Sequence, residues 1–172
     1  VFTFNINERN FLGKGQTVKL DLSSSKIEKE LALGLEDPSF LGRNLLAAIS
    51  FGQKTITPYF TPVKTDKQFF EPRIGFPLSR DSDLTLTYRL DQDKVKLTYD
   101  NAVMSPLLKS DIGNRNKSAL ILAYDLDKTN SVISPTAGYN LRIIQELNGL
   151  AGNVTFSKSS FDLKTYKTLF RD

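Results

Sequence analysis

Apolar and polar residues alternate along most of this chain with a period of two. Phe2, Phe4 and Ile6 are separated by Thr3 and Asn5, and Val18, Leu20 and Leu22 by Lys19 and Asp21. That period places apolar side chains on one face of an extended strand and polar ones on the other. It recurs at Leu31, Leu33 and Leu35, at Leu45, Ala47, Ile49 and Phe51, and at Phe70, Ile74, Phe76 and Leu78. It returns at Leu84, Leu86, Tyr88 and Leu90, at Leu120, Leu122 and Tyr124, and at Tyr139, Leu141 and Ile143. A last strand runs from Val154 towards Phe170 with a blurred face assignment. The pattern predicts nine strands and an all-β, antiparallel chain.

The segments between strands carry turn chemistry. Asn10, Phe11, Leu12, Gly13, Lys14, Gly15 and Gln16 include two glycines able to take positive φ. Residues 37–44, with Pro38, Phe40, Leu41, Gly42 and Arg43, repeat the Phe-Leu-Gly word and hint at a repeated hairpin unit. Ser79 to Ser82 is a short turn. Pro135, Thr136 and Gly138 reverse the chain between a strand ending at Asp125 and one starting at Tyr139. Segments 54–68 and 100–117 read as long loops, the second with room for a short helix.

Antiparallel strands put alternate connections at opposite ends of a sheet, so short and long connections are expected to segregate, the habit of membrane barrels. Segment 23–28 and the Gly149 turn are short members of the long set, and the approach to Pro135 is a long member of the short set. Pro72 and Pro77 are expected at a bulge, an edge or a strand end. Beyond Asp91, Gln92 and Asp93 the apolar parity slips from even to odd at Val95, Leu97 and Tyr99. This reads as a bulge or as a strand continuing above a membrane edge, with a separate small hairpin as the alternative.

Composition narrows the chemistry. The 172 residues can hold one domain, 1–172, with a sizeable core. No apolar run approaches the roughly 20 residues of a membrane-spanning helix, whereas barrel strands alternate and leave only weak hydropathy signals. Cysteine and histidine are absent, which removes disulfides, thiolate nucleophiles, the usual zinc sites and imidazole catalysis. The net charge of +4 is scattered rather than clustered, unlike a nucleic-acid surface. The first residues lack the regions of a signal peptide, and the start inside an alternating segment suggests an excised piece.

Sharper chemical readings give way to plainer ones. Gly13, Lys14 and Gly15 lack the spacing of a phosphate loop, and Asp125, Asp127 and Asn130 lack the glycine and terminal glutamate of a calcium loop. Glu71 with Arg73, and Arg142 with Glu146, are candidate lumen charge pairs that bridge strands; no spacing marks a catalytic carboxylate pair. Asn116-Lys117-Ser118 and Asn153-Val154-Thr155 fit the short glycosylation pattern. Tyr59, Phe60, Tyr99, Tyr139 and Tyr166 would suit interfacial girdles in a barrel or an ordinary core in a sandwich. Periodicity alone favours a soluble β-sandwich binding module, the commoner product of such a pattern.

Four words in order reverse that preference. Asn-Phe-Leu-Gly-Lys-Gly-Gln at 10–16, Asp-Pro-Ser-Phe-Leu-Gly-Arg-Asn at 37–44, Gly-Phe-Pro-Leu at 75–78, and Pro-Thr-Ala-Gly-Tyr at 135–139 followed by Gln-Glu-Leu-Asn-Gly-Leu-Ala-Gly resemble the barrel domain of the bacterial surface-antigen, BamA-like family of outer-membrane assembly factors. The resemblance implies the N-terminal half of a sixteen-stranded transmembrane β-barrel, from its second strand to its tenth, within a longer polypeptide. In that family these words mark periplasmic turns. It implies a non-enzymatic role in folding and inserting barrel proteins, without cofactors or nucleic acid. Its implied partners are unfolded outer-membrane clients, accessory lipoprotein subunits and the lipid bilayer. A two-partner secretion or translocation pore of the same superfamily is the alternative.

Overall fold

The computed structural model describes residues 1–60, 62–98 and 112–168. Nine strands form one sheet: β1 (Phe2–Phe11), β2 (Gln16–Ser24), β3 (Glu28–Asp37), β4 (Leu46–Ile56), β5 (Val63–Ser79), β6 (Ser82–Leu97), β7 (Gly113–Asp127), β8 (Ala137–Asn148) and β9 (Phe156–Lys167). Every neighbouring pair is antiparallel and the spatial order equals the chain order. Such a meander needs only local hairpins, which the alternating segments and turn words supply. A short 3₁₀ turn at Phe40–Gly42 is the sole helical element among the described residues.

No second layer covers the sheet among the described residues. Among the described residues only Val95, Ala119 and Ala123 are buried apolar side chains, whereas Phe4, Phe51, Phe70, Ile74, Leu122 and Ile143 are exposed. A sandwich would bury those faces against each other, so the soluble-sandwich alternative is set aside. The apolar face is uncovered among the described residues.

Several boundaries differ from expectation because backbone pairing extends beyond the apolar alternation. The 54–68 segment is strand up to Ile56 and again from Val63, leaving 57–62 as the connection. Gly113 to Lys117 belong to β7 rather than to a loop, while Tyr99 and residues 100–111 lie outside the described residues. The slip of parity beyond Asp93 is neither bulge nor hairpin. β6 keeps one register against β5 from Leu90 to Leu97 and against β7 from Ser82 to Val95, so the strand simply continues. Pro72 sits mid-strand, opposite Ile49, and the pairing with β6 resumes beyond it without an inserted residue.

Connections alternate between two rims. Among the described residues the first rim carries 12–15, 38–45, 80–81 and 128–136, and the second 25–27, 57–60 and 149–155. Length segregates weakly, because the first-rim segments 38–45 and 128–136 are longer than 57–62.

Candidate functional site: a two-faced membrane wall

Pairing fixes which residues share a face. From β1 to β8 one face carries Phe4, Leu22, Leu33, Phe51, Phe70, Leu86, Leu122 and Ile143. The other carries Lys19, Glu30, Lys54, Glu71, Arg89, Asp93, Lys117 and Arg142. A recess of about 370 Å³ on the polar face is lined by residues from β5 to β9, including Arg73, Arg89, Ile144 and Ser160, so the sheet curls towards that face.

The polar face is knitted by charge pairs, most of them between adjacent strands, with Arg73 and Glu36 paired across β4. Arg89 Nε donates to Glu71 at 2.6 Å and Lys117 Nζ to Asp93 at 2.6 Å. Lys54 meets Glu28 at 2.7 Å and Glu30 at 3.1 Å, Arg73 meets Glu36 at 3.6 Å, and Arg142 meets Asp125 at 3.5 Å. The four residues expected to form lumen pairs do face inward, with different partners. Positions i and i+2 on one strand stand about 7 Å apart, whereas cross-strand neighbours stand about 5 Å apart, so Glu71 reaches sideways to Arg89. Arg73 reaches past the small Ala48 of β4 to Glu36 on β3. Cations and anions balance along this face, leaving a wet wall without a single-sign ring.

The apolar face has the geometry of a tilted transmembrane band. Pairing carries Phe4, the centre of the β1 band, across to Asn116 on β7. The β7 band, Leu120 to Leu126, is centred on residue 123, seven residues away over six strand steps. At about 3.4 Å per residue and 4.8 Å per strand, that drift means a tilt of about 40°, within the range of membrane barrels. Only a surface cut obliquely across hydrogen-bonded rows gives such a drift, and a bilayer edge is such a surface.

Each sequence-derived turn residue falls on the first rim. Phe11, Leu12, Gly13 and Lys14 make a tight turn in which the Lys14 N–H donates to the Phe11 carbonyl at 3.1 Å, with φ of 53° at Leu12 and 72° at Gly13. Phe40, Leu41, Gly42 and Arg43 repeat it: the Arg43 N–H donates to the Phe40 carbonyl at 3.2 Å, with φ of 57° at Leu41 and 69° at Gly42. The Phe-Leu-Gly word is thus one backbone shape used twice, with both central residues left-handed as a type I′ turn requires. Asn10 Oδ1 accepts the Gly15 N–H at 2.8 Å, and Pro38 opens the 38–45 connection.

In the 128–136 connection, Asn130 Oδ1 accepts the N–H groups of Thr136 and Ala137, each at 3.0 Å, just after Pro135. Gly138 lies inside β8 rather than in the turn; its φ is 104°, and a Cβ there would run into the Lys128 carbonyl oxygen. The Asp81 carboxylate bonded to Lys128 holds that ammonium above the ordinary lysine range.

Two arrangements escaped sequence reasoning. Gly52 and Phe69 face each other across β4 and β5, and the Phe69 ring lies where a Cβ on Gly52 would be, at 2.8 Å. An inward glycine beside an aromatic was the available signal. Asn153 also clasps the edge of β7 beyond the end of β8. Its Oδ1 accepts the Asn116 N–H at 2.9 Å, its Nδ2 donates to the Asn114 carbonyl at 3.1 Å, and its N–H donates to the Asn116 carbonyl at 2.9 Å. The two glycosylation-like words therefore meet in one clasp.

A single curled sheet with one lipid-width apolar face, one charged face and tilted strands defines the wall of a transmembrane β-barrel. Residues 10–172 match the Omp85 superfamily domain, and the chain belongs to that superfamily of bacterial outer-membrane proteins. Its fold is similar to the crystal structure of BamA from Haemophilus ducreyi lacking POTRA domains 1–3, with a TM-score of 0.70 and 16% identity over 92% of this chain. The chain spans 33% of that one, and no curated protein matches it. Nine consecutive strands are accordingly a partial barrel of the outer membrane.

Proposed function

We propose that this chain is part of a machine that folds and inserts client β-barrels into the outer membrane, acting as a non-enzymatic scaffold. The observation that carries the reading is the shallow apolar band beside β1. β1 to β4 each present three outward apolar residues, as in Leu31, Leu33 and Leu35, bounded by polar ones such as Glu8, Lys29 and Gln53. Bilayer facing a short band thins, and a thinner bilayer lowers the barrier to an incoming strand. Clients would add to a sheet edge by backbone pairing. On this reading the first rim is periplasmic, and Asn10, Gly13, Gly15, Pro38, Gly42, Arg43, Pro135, Thr136 and Gly138 hold its turns. Leu12, Leu41, Val132 and Ile133, each at least 76% exposed, are its contacts for accessory lipoprotein subunits.

The test widens the band in the whole protein, with Glu8→Leu, Ser24→Leu and Gln53→Leu together. Client-barrel insertion into vesicles should slow several-fold while the protein's own folding is kept. Unchanged insertion would remove the support. The second reading, a translocation pore of the same superfamily, draws on the charge-lined wall; it gains if the protein conducts ions freely and does not accelerate client folding.

A further inference from the structure

We propose that the outward side of the second rim is a binding surface for anionic phosphate headgroups of the lipid leaflet it stands in. Beyond the apolar band, the described strand residues whose pairing places them outward include Lys29, Lys64, Lys94 and Lys96 at this rim, with Asp66 as the only carboxylate among them. At the first rim the corresponding charged residues are Glu8, Asp37 and Lys167. The same face is therefore cationic at one membrane edge and slightly anionic at the other.

Two further observations separate this from a merely solvated rim. Lys64 and Lys96 are direct cross-strand partners on one face, an arrangement of like charges that weakens a sheet. Among the described residues only Asp66 offsets it, and only in part: Asp66 accepts from Thr55 at 2.8 Å, meets Lys64 at 3.4 Å and stands opposite Lys94. One carboxylate thus serves three lysines, and a phosphate oxygen between Lys64 and Lys96 would relieve the repulsion.

Position also fits. Outward residues turn from apolar at Leu90 to polar at Gln92 and cationic at Lys94, and from Phe70 through Gln68 to Asp66 and Lys64. Lysine stems reach back along the wall to put ammonium groups at headgroup depth.

The test uses the whole protein in phosphatidylcholine vesicles with trace spin-labelled phosphatidic acid or spin-labelled phosphatidylcholine. The fraction of each label immobilised at the protein perimeter is then compared. With about fivefold preference at a lipid beside each exposed lysine, diluted over the perimeter, phosphatidic acid should be favoured about two- to threefold. Lys64→Gln, Lys94→Gln and Lys96→Gln together should bring the preference close to one, and Asp66→Asn alone should raise it. Phosphatidic acid held equally by the native protein and both variants would overturn the proposal, as would a preference unaffected by raising salt from 0.05 to about 1 M.

Discussion

The first four strands and the three that follow are built to different heights. β1 to β4 have 9 to 11 residues, whereas β5, β6 and β7 have 17, 16 and 15. Three outward apolar residues per strand in the first group become four in the second, as in Leu84, Leu86, Tyr88 and Leu90. With the strands tilted near 40°, the first band is about 5 Å shallower. The interior differs along its middle: Ala32, Gly34, Ala48, Ser50 and Gly52 line the centres of β3 and β4, whose charge pairs stand only towards the strand ends at Lys54 and Glu36, while Glu71 with Arg89 and Asp93 with Lys117 cross-link β5 to β7. The thin, smooth side sits next to the β1 edge, and the tall, cross-linked side away from it. One sheet thus combines a compliant flank with a stiff one.

The largest expected effect compares the two bands directly. Leu86→Arg, at mid-band in the tall region, should cost about 2–4 kcal/mol, the usual penalty at a bilayer midplane. Leu20→Arg, at mid-band in the shallow region, is nearer to both interfaces and should cost about half as much, because arginine reaches headgroups more easily. Urea unfolding from vesicles measures both. Equal costs would mean that the bilayer is no thinner beside β1 to β4.

A smaller contrast lies in the inward glycines. Gly138, with its φ of 104° and the Lys128 carbonyl in the way, should lose about 2–3 kcal/mol on substitution by valine. Gly34 has ordinary φ, and a Cβ there would meet Ser50 Oγ at a comfortable 3.5 Å. Gly34→Ala should therefore change stability by less than about 0.5 kcal/mol, or raise it. A large loss at Gly34 would show that the smooth flank needs its glycine for something other than space.

The boundary between the flanks is marked by Gly52 under Phe69. Gly52→Ala brings a Cβ to 2.5 Å from the Leu31 carbonyl oxygen and to 2.8 Å from the Phe69 ring, and should cost about 1–3 kcal/mol. In a Phe69→Ala background the same substitution should cost less but keep the part set by the carbonyl. Additive losses would indicate that the nearby Leu31 carbonyl, not the ring, sets the limit.

Much of this was legible in the sequence, because strand faces follow from a period of two and the Phe-Leu-Gly word fixes a backbone shape. Leu20, Leu86 and Leu122 could each be assigned to the apolar face of its strand without coordinates, but that this face is the outer one rested on the resemblance. Strand ends were less legible. Lys64, Asp66, Lys94 and Lys96 break the apolar alternation, and the projection of β5 to β7 is held by backbone pairing that side chains do not announce. The charge pairs were found as residue types but not as partners, since pairing depends on register. Asn153 looked like a surface acceptor because its role lies in reaching strand residues 37 positions earlier.

The smallest expected effect concerns how the tall flank is tied at the first rim. Lys128, in the 128–136 connection, bonds Asp81 in the 80–81 turn, so two neighbouring hairpins are latched together. That bond raises the Lys128 value above 10.5. A group whose value is higher folded than unfolded stabilises fully below the unfolded value and loses that contribution as pH rises through the folded one. The latch should therefore hold through neutral pH and open only above about 10.5. A spin label at Ile133 reports it: mobility in the native protein should rise only as the pH is taken above about 10.5, whereas Lys128→Met should be mobile throughout. Among the described residues no ion pair joins the 38–45 connection to a neighbouring turn, so a label at Leu41 should show no corresponding step. A step of equal size at Leu41 would mean that alkali loosens the whole rim and that the latch is not what distinguishes the stiff flank.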